Sequence, residues 1–273
     1  MAISDDKELQ LQHTMERVLT LKSVNKSSVC EWFLNFDIKI RISLNHRNIV
    51  TITRPFIIED ISMLPIVFIV LMIVQVFCLV LAVQHYRKTR SNYDILPVIV
   101  IAGLVYDNAV IALGGFMEAG DTLRSLNAPR FIIHGLATPL LMIWGFGLAR
   151  RLGFGWAQSR RNHAILCGVA SLLIALGAYS DVLRLDLQIK VEQGITRYVN
   201  VGGIKGPPIA SIVTIIFLLV IGVFIWRQRK AAGLAIGSTI MFFGAMAGAA
   251  LLGVGNVAEV AMSAGVLSGQ RTK

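Results

Sequence analysis

Charge is scarce in this sequence. Of 273 residues only 15% are Asp, Glu, Lys or Arg, where a soluble domain carries about a quarter. The deficit is concentrated in long apolar runs, which excludes an ordinary water-soluble globule and points to a membrane. Cysteine is rarer still. Cys30, Cys78 and Cys167 show no CxxC spacing, so neither a disulfide framework nor a zinc ribbon is expected. Cys78 and Cys167 lie in apolar runs and read as small buried hydrophobes. Histidine is equally thin. His85 and His163 fall beside basic connectors, and beyond residue 62 that leaves only His134, too few for a multi-histidine zinc site inside the membrane. The chain has no P-loop, no GxSxG, no HExxH and no run of intramembrane arginines of the kind a voltage sensor uses. No metal and no cofactor is expected.

What is present is apolar: 55% of the residues, with a mean hydropathy of +0.67. A helix needs about 20 apolar residues to cross a bilayer. Six stretches meet or approach that length: 63–84, 95–115, 131–149, 164–180, 209–226 and 231–254. Lipid offers the backbone no hydrogen-bond partner, so each should be helical despite its valines and isoleucines. The expected fold is an all-α, polytopic integral membrane protein, a bundle of six transmembrane helices.

The connectors alternate in charge. Segments 85–94, 150–163 and 227–230 together hold ten Lys and Arg against one acid, Asp94. Segment 116–130 has two bases and two acids, and 181–208 has four bases and three acids. The positive-inside rule then places the three basic segments in the cytoplasm and the mixed loops and C-terminus outside. The net charge of +10 suggests contact with anionic lipid at those loops rather than with nucleic acid. With no eukaryotic targeting signal, a bacterial inner membrane is the expected location.

Residues 1–62 are different. They carry eight bases and eight acids, lack a long apolar run and show no signal-peptide pattern. Segment 31–42 reads as a short amphipathic element and the rest as poorly structured. Because Met63 opens the first span, the expectation is that the native protein begins there and that 1–62 is an upstream extension of the reading frame. The expected organisation is therefore an extension, a transmembrane domain over 63–258, and a C-terminal tail over 259–273.

Inside the spans a few polar residues stand out. Asp107 and Asn108 sit within the second, in GLVYDNAVIALGG. An acid in hydrocarbon is costly unless paired, protonated or wetted, and marks a functional site by default; the alternative is a structural ion pair or interhelical hydrogen bond. Gly103, Asp107, Val110 and Gly114 share a face whose small residues suit close helix packing. His134 lies one turn into the third span, at a depth comparable to Asp107, ahead of Thr138 and Pro139. Arg130 and Asp181 mark the outer ends of the third and fourth spans and are able to pair with each other or with Asp107. Glu259, on a stripe with Gly248, Leu252 and Gly255, is placed to reach the same outer cavity. Candidate ligand or proton-binding residues are thus Asp107, Asn108, His134, Arg130, Asp181 and Glu259. No catalytic residue is assigned.

The last span carries two GxxxG pairs, Gly233 with Gly237 and Gly244 with Gly248, a face for tight packing within the chain or in a homo-oligomer. The expected function is a small transporter or ligand-binding membrane protein with an outward-facing polar cavity. The alternatives are an intramembrane enzyme acting on a lipid head group, with Asp107 and His134 as acid and base and Arg130 holding phosphate, or a scaffold subunit of a membrane complex.

Overall fold

A computed structural model of the chain describes residues 36–43, 49–56, 63–204, 208–248 and 251–272. The chain divides into two compact units, Met1–Ile61 and Ser62–Lys273.

Within the first unit, β1 (Phe36–Ser43) and β2 (Ile49–Phe56) form an antiparallel hairpin in register from Phe36 opposite Phe56 to Ser43 opposite Ile49. The expected amphipathic element at 31–42 is therefore in part a strand. Its apolar residues Phe36, Ile38, Ile40 and Ile42 alternate with a period of two, which is strand periodicity. The hairpin also occupies positions expected to be poorly structured.

The second unit is helical. Among the described residues five helices are long and apolar enough to cross a membrane: Leu64–Thr89, Ile95–Leu113, Asp121–Arg151, Arg160–Leu183 and Ile209–Arg229. We number the elements α1 (Leu64–Thr89), α2 (Ile95–Leu113), α3 (Asp121–Ala137), α4 (Leu140–Arg151), the single turn α5 (Gly155–Gln158), α6 (Arg160–Ala178), α7 (Ile209–Arg229), α8 (Gly233–Gly248) and α9 (Val254–Arg271). Pro65 sits in the first turn of α1, where a missing N–H costs nothing, and Arg90 ends that helix in a left-handed conformation. α3 and α4 form one rod broken at Thr138–Pro139, where the proline removes a ladder hydrogen bond. Thr138 Oγ1 donates to the His134 carbonyl at 2.7 Å, beside the Gly135 carbonyl, whose i+4 donor Pro139 removes. The rod begins ten residues earlier than the expected span, because 121–130 continues the helix beyond the apolar stretch.

After α6 the chain makes one π turn, Tyr179–Leu183, and then a hairpin of β3 (Leu187–Glu192) and β4 (Ile195–Asn200). Gln193 and Gly194 both have positive φ, 50° and 76°, as a two-residue turn matching the strand twist requires. The hairpin docks on the end of α2: the Thr196 N–H donates to the Gly114 carbonyl at 2.8 Å, and Ile195 is fully buried. Glu192 accepts from Arg197 Nη2 at 2.9 Å and lies 3.1 Å from Lys190 Nζ. The Arg197 hydrogen bond first, and Lys190 second, hold its carboxyl below the usual carboxylate range. Because the folded pKa is depressed, this contribution is present at neutral pH and lost as pH falls through it. Glu192→Gln should accordingly raise protease cleavage at the hairpin modestly at pH 7, and the difference from wild type should vanish as pH falls through the depressed carboxyl pKa.

The C-terminal third departs most from expectation. The stretch read as the sixth span is α8, whose 16 residues reach only about 24 Å. The chain then turns at Gly253, left-handed at φ 90°, and α9 runs back alongside. The turn lies against Leu64 and Phe68 at the start of α1, and Leu267 packs near Cys78 and Ala82 further along it. α9 therefore parallels α1 through the bundle, where a tail was expected at 259–273. Its C-terminus lies at the basic end and not opposite to it: the Gln270 carbonyl accepts from Arg151 Nη2 at 3.4 Å, and Arg271 shares a recess with Arg229 and Lys230. Small residues make the return feasible. A Cβ at Gly233 would collide with Ser268, one at Gly237 would come within 2.6 Å of the Ala261 carbonyl, one at Gly244 would collide with Ala258, and one at Gly248 would meet Gly255. The GxxxG face is thus covered by α9 of the same chain.

The core centres on α4, α7 and α9, with Trp144, Phe146, Leu218, Ile221, Ile225 and Val266 buried. α1 turns Ile66, Val70, Ile73 and Phe77 outward, as a lipid-facing helix does.

Candidate functional site

The expected site residues separate into two groups. Asp107 on α2 is gripped from both sides. Arg130 Nε donates to its Oδ1 at 2.8 Å, and Asn256 Nδ2 donates to its Oδ2 at 3.0 Å. Arg130 in turn donates from Nη1 to Asn127 Oδ1 at 2.7 Å, and that oxygen also receives the Tyr198 N–H at 3.3 Å. Asn127 and Arg130 are three apart on α3, Asn256 and Glu259 three apart on α9, so each pair shares a helical face. Gly103 lets α2 approach α3, since a Cβ there would collide with Ile133. Asp107 is therefore a charge-compensated anchor joining three helices. His134 is not its partner, although the two line one narrow crevice. Asn108 turns aside, donating to the Leu104 carbonyl at 2.8 Å.

His134, Asp181 and Glu259 belong to the second group. His134 lines three adjoining cavities. One, about 140 Å³, is bounded by Gly135, Gly177, Ser180, Asp181 and Ser211. Another, about 50 Å³, is bounded by Leu141, Ser211, Thr214, Met241 and Glu259. The third, about 10 Å³, reaches Asp107 and Arg130. The first depends on a close crossing of α3 and α6: a Cβ on Gly177 would collide with the Gly135 carbonyl. The π turn carries Asp181 to the cavity, and such turns recur where a helix must re-aim a functional side chain. Its Oδ1 accepts from Ser180 Oγ at 3.2 Å and Asn200 Nδ2 at 3.4 Å. A Cβ on Gly135 would lie 2.7 Å from its Oδ2, so that oxygen faces the α3 backbone. Glu259 is 8% exposed, and its polar neighbour is Asn256, with Nδ2 at 3.5 Å. Among the described residues neither Asp181 nor Glu259 has a cation at ion-pair distance, and the His134 ring has no hydrogen-bond partner.

At the basic end Asp94 is 1% exposed, 3.1 Å from Arg151 Nη1 and 3.4 Å from His85 Nε2. Among the described residues no group of three His, Cys, Asp or Glu side chains is placed to hold a metal ion.

Sequence reasoning passed over Asn127, Ser180, Asn200 and Gln75. Gln75 was findable by the rule that picked out Asp107, as a lone polar residue in an apolar span. Asn127 was signalled only by its i, i+3 spacing from Arg130. Asn200, the last residue of β4, falls in a connector by its composition and needs the hairpin to reach Asp181. The sequence matches no family model and no curated protein.

Proposed function

We propose that this chain is a multi-pass membrane transporter that admits a small cationic solute to the cavity between α3, α6 and α7. One observation carries the reading. Asp181 and Glu259, two carboxylates without an ion-pair partner among the described residues, face the two cavities that meet at His134, and no Lys or Arg lines either cavity. A carboxylate so placed favours a positive guest, most strongly at Glu259, which is 8% exposed, because the alternative there is an uncompensated buried charge. About 140 Å³ suits a molecule of a few heavy atoms. The role first given to Asp107 passes to Asp181 and Glu259, since Arg130 already neutralises Asp107. The lipid-enzyme reading loses support for the same reason: Arg130 is committed to Asp107 and Asn127 and is not free to grip a phosphate.

The basic end is the cytoplasmic end on this reading, by the positive-inside bias, and its recess beside Arg229, Lys230 and Arg271 meets anionic lipid. The cavity then opens outward.

Thermal melting of the full chain in detergent tests the cavity. Ammonium, methylammonium and guanidinium should be titrated in turn. At ten times its Kd, an accepted cation should raise Tm by about 3–6 °C, and Asp181→Asn should abolish the shift. An equal shift in Asp181→Asn, or no shift from any of the three, would sink the reading.

A further inference from the structure

α9 is the least membrane-like of the long helices, yet it lies inside the bundle. Asn256, Glu259, Ser263 and Gln270 fall within about 60° of one another around its axis, at 100° per residue, and extend over about 21 Å of its length. Glu259, Ser263 and Gln270 are each at least nine-tenths buried. A buried polar side chain is expected to be hydrogen-bonded. Here several are not: among the described residues Ser263 Oγ and both amide atoms of Gln270 have no partner, and neither do both amide atoms of Gln75 or Asn108 Oδ1.

These groups are not scattered. One apolar cluster joins Phe68 and Leu71 of α1, Ile111 and Ala112 of α2, and Val260 of α9. A second, deeper along, joins Cys78 and Ala82, Ile101 and Leu267 of the same three helices. Gln75 falls between the two clusters on α1, Asn108 on α2 and Ser263 on α9. All three side chains therefore fall in the interval between the two apolar clusters, each no more than 2% exposed. On α9, Glu259 and Asn256, which meet the Asp107–Arg130 pair, precede Ser263 by one and two turns. At the other end of the stripe Gln270 leads to Arg151, Asp94 and His85 at the basic end. Unmatched polar groups buried in this way are the sites at which internal water is held, each molecule needing two to four polar partners.

We propose that this stripe of α9 is a proton path across the bundle, with Glu259 as its proton-binding station. A proton entering from the cavity beside His134 binds the Glu259 carboxylate. It leaves through water held by Ser263, Gln75 and Asn108, crosses the Cys78–Leu267 cluster to Gln270, and is passed to His85 or to the solution at the basic end. No bond other than O–H or N–H is made or broken, and the membrane potential supplies the driving force, worth about 2.3 kcal/mol per charge per 100 mV. Arg130 and Asp107 flank Glu259 as a neutral pair, and Arg151 with Asp94 flanks the exit. A small cation in the upper cavity and a proton on Glu259 then compete for one region of negative charge, which couples solute movement to the proton gradient. The inference rests on the transporter reading for this coupling, but the path itself does not need the solute.

The test uses the full chain in phosphatidylcholine–phosphatidylglycerol vesicles enclosing a pH-sensitive dye, with a potassium diffusion potential, inside negative. Wild type should acidify the interior at least tenfold faster than empty vesicles. Glu259→Gln and Ser263→Ala should fall to the empty-vesicle rate, while Ser263→Thr, which keeps the hydroxyl, retains flux. Glu192→Gln, on the distant hairpin, should match wild type. Methylammonium-induced melting shifts on the same preparations report the cavity separately, and a cooperative melting transition without the cation shows that each variant is folded. Asp181→Asn should lose the melting shift and keep proton flux. If wild type is no faster than empty vesicles, or Glu259→Gln or Ser263→Ala conducts at the wild-type rate, the path is wrong whatever the cavity binds. If flux behaves as stated and no cation shifts the melt, the path stands and the solute reading falls.

Discussion

Arg130→Met should destabilise the protein by about 3–5 kcal/mol, the usual consequence of removing one partner from a buried ion pair. The guanidinium is 8% exposed and satisfies Asp107 and Asn127 together. Without it Asp107 keeps, among the described residues, the Asn256 amide as its hydrogen-bond donor and carries an unbalanced charge among apolar helices. The informative comparison is the double variant. Asp107→Leu combined with Arg130→Met removes both charges, so it should be clearly more stable than Arg130→Met alone. Reversible unfolding in mixed micelles gives the four corners of the cycle, and a coupling energy near zero would show that the pair anchors nothing. The same cycle separates anchoring from transport: the double variant should still give the methylammonium melting shift, because Asp181 and the cavity walls are untouched.

The second large effect is expected at Gly237. A Cβ there would lie 2.6 Å from the Ala261 carbonyl and 3.0 Å from the Gly265 Cα, so α8 and α9 meet backbone to backbone. Gly237→Leu inserts four carbons where one does not fit. Overpacking commonly costs about 1–3 kcal/mol, and more where the obstacle is backbone. We expect at least about 3 kcal/mol, together with displacement of α9, since its other neighbours cannot follow. Limited proteolysis should then cut within 251–272 in the variant and spare it in wild type. Ile236→Leu, one residue away on an exposed position, should behave as wild type. A variant at Gly237 with an intact, protected C-terminal helix would mean that the crossing is looser than the geometry states.

How much of this was legible beforehand differs from element to element. The starts of the runs at Leu64, Ile95 and Ile209 were found to within one residue, because a long apolar run admits one solution in a bilayer, while their ends differ by two to five residues. The rod Asp121–Arg151 was found only in its apolar half. Its first ten residues, including Asn127 and Arg130, are polar on a local count and helical because α2 and the β3–β4 hairpin satisfy them. Glu259 and Arg130 were singled out by their charge, yet their roles were open: nothing in the spacing of 107, 130 and 256 says that these three meet.

The sequence by itself determined the solvent of this protein, the helical state of its long apolar runs and the clustering of basic residues in three connectors. Those are consequences of local composition, since a backbone in hydrocarbon must satisfy itself within its own helix. Only the tertiary structure decided that α9 folds back through the bundle, that its C-terminus joins the basic end, and that Arg130 quenches Asp107 while Asp181 and Glu259 have no ion-pair partner among the described residues. Those outcomes depend on which helix faces which. That choice rests on glycine contacts of a few ångströms and on a left-handed Gly253, and neither leaves a mark in the hydropathy of the chain.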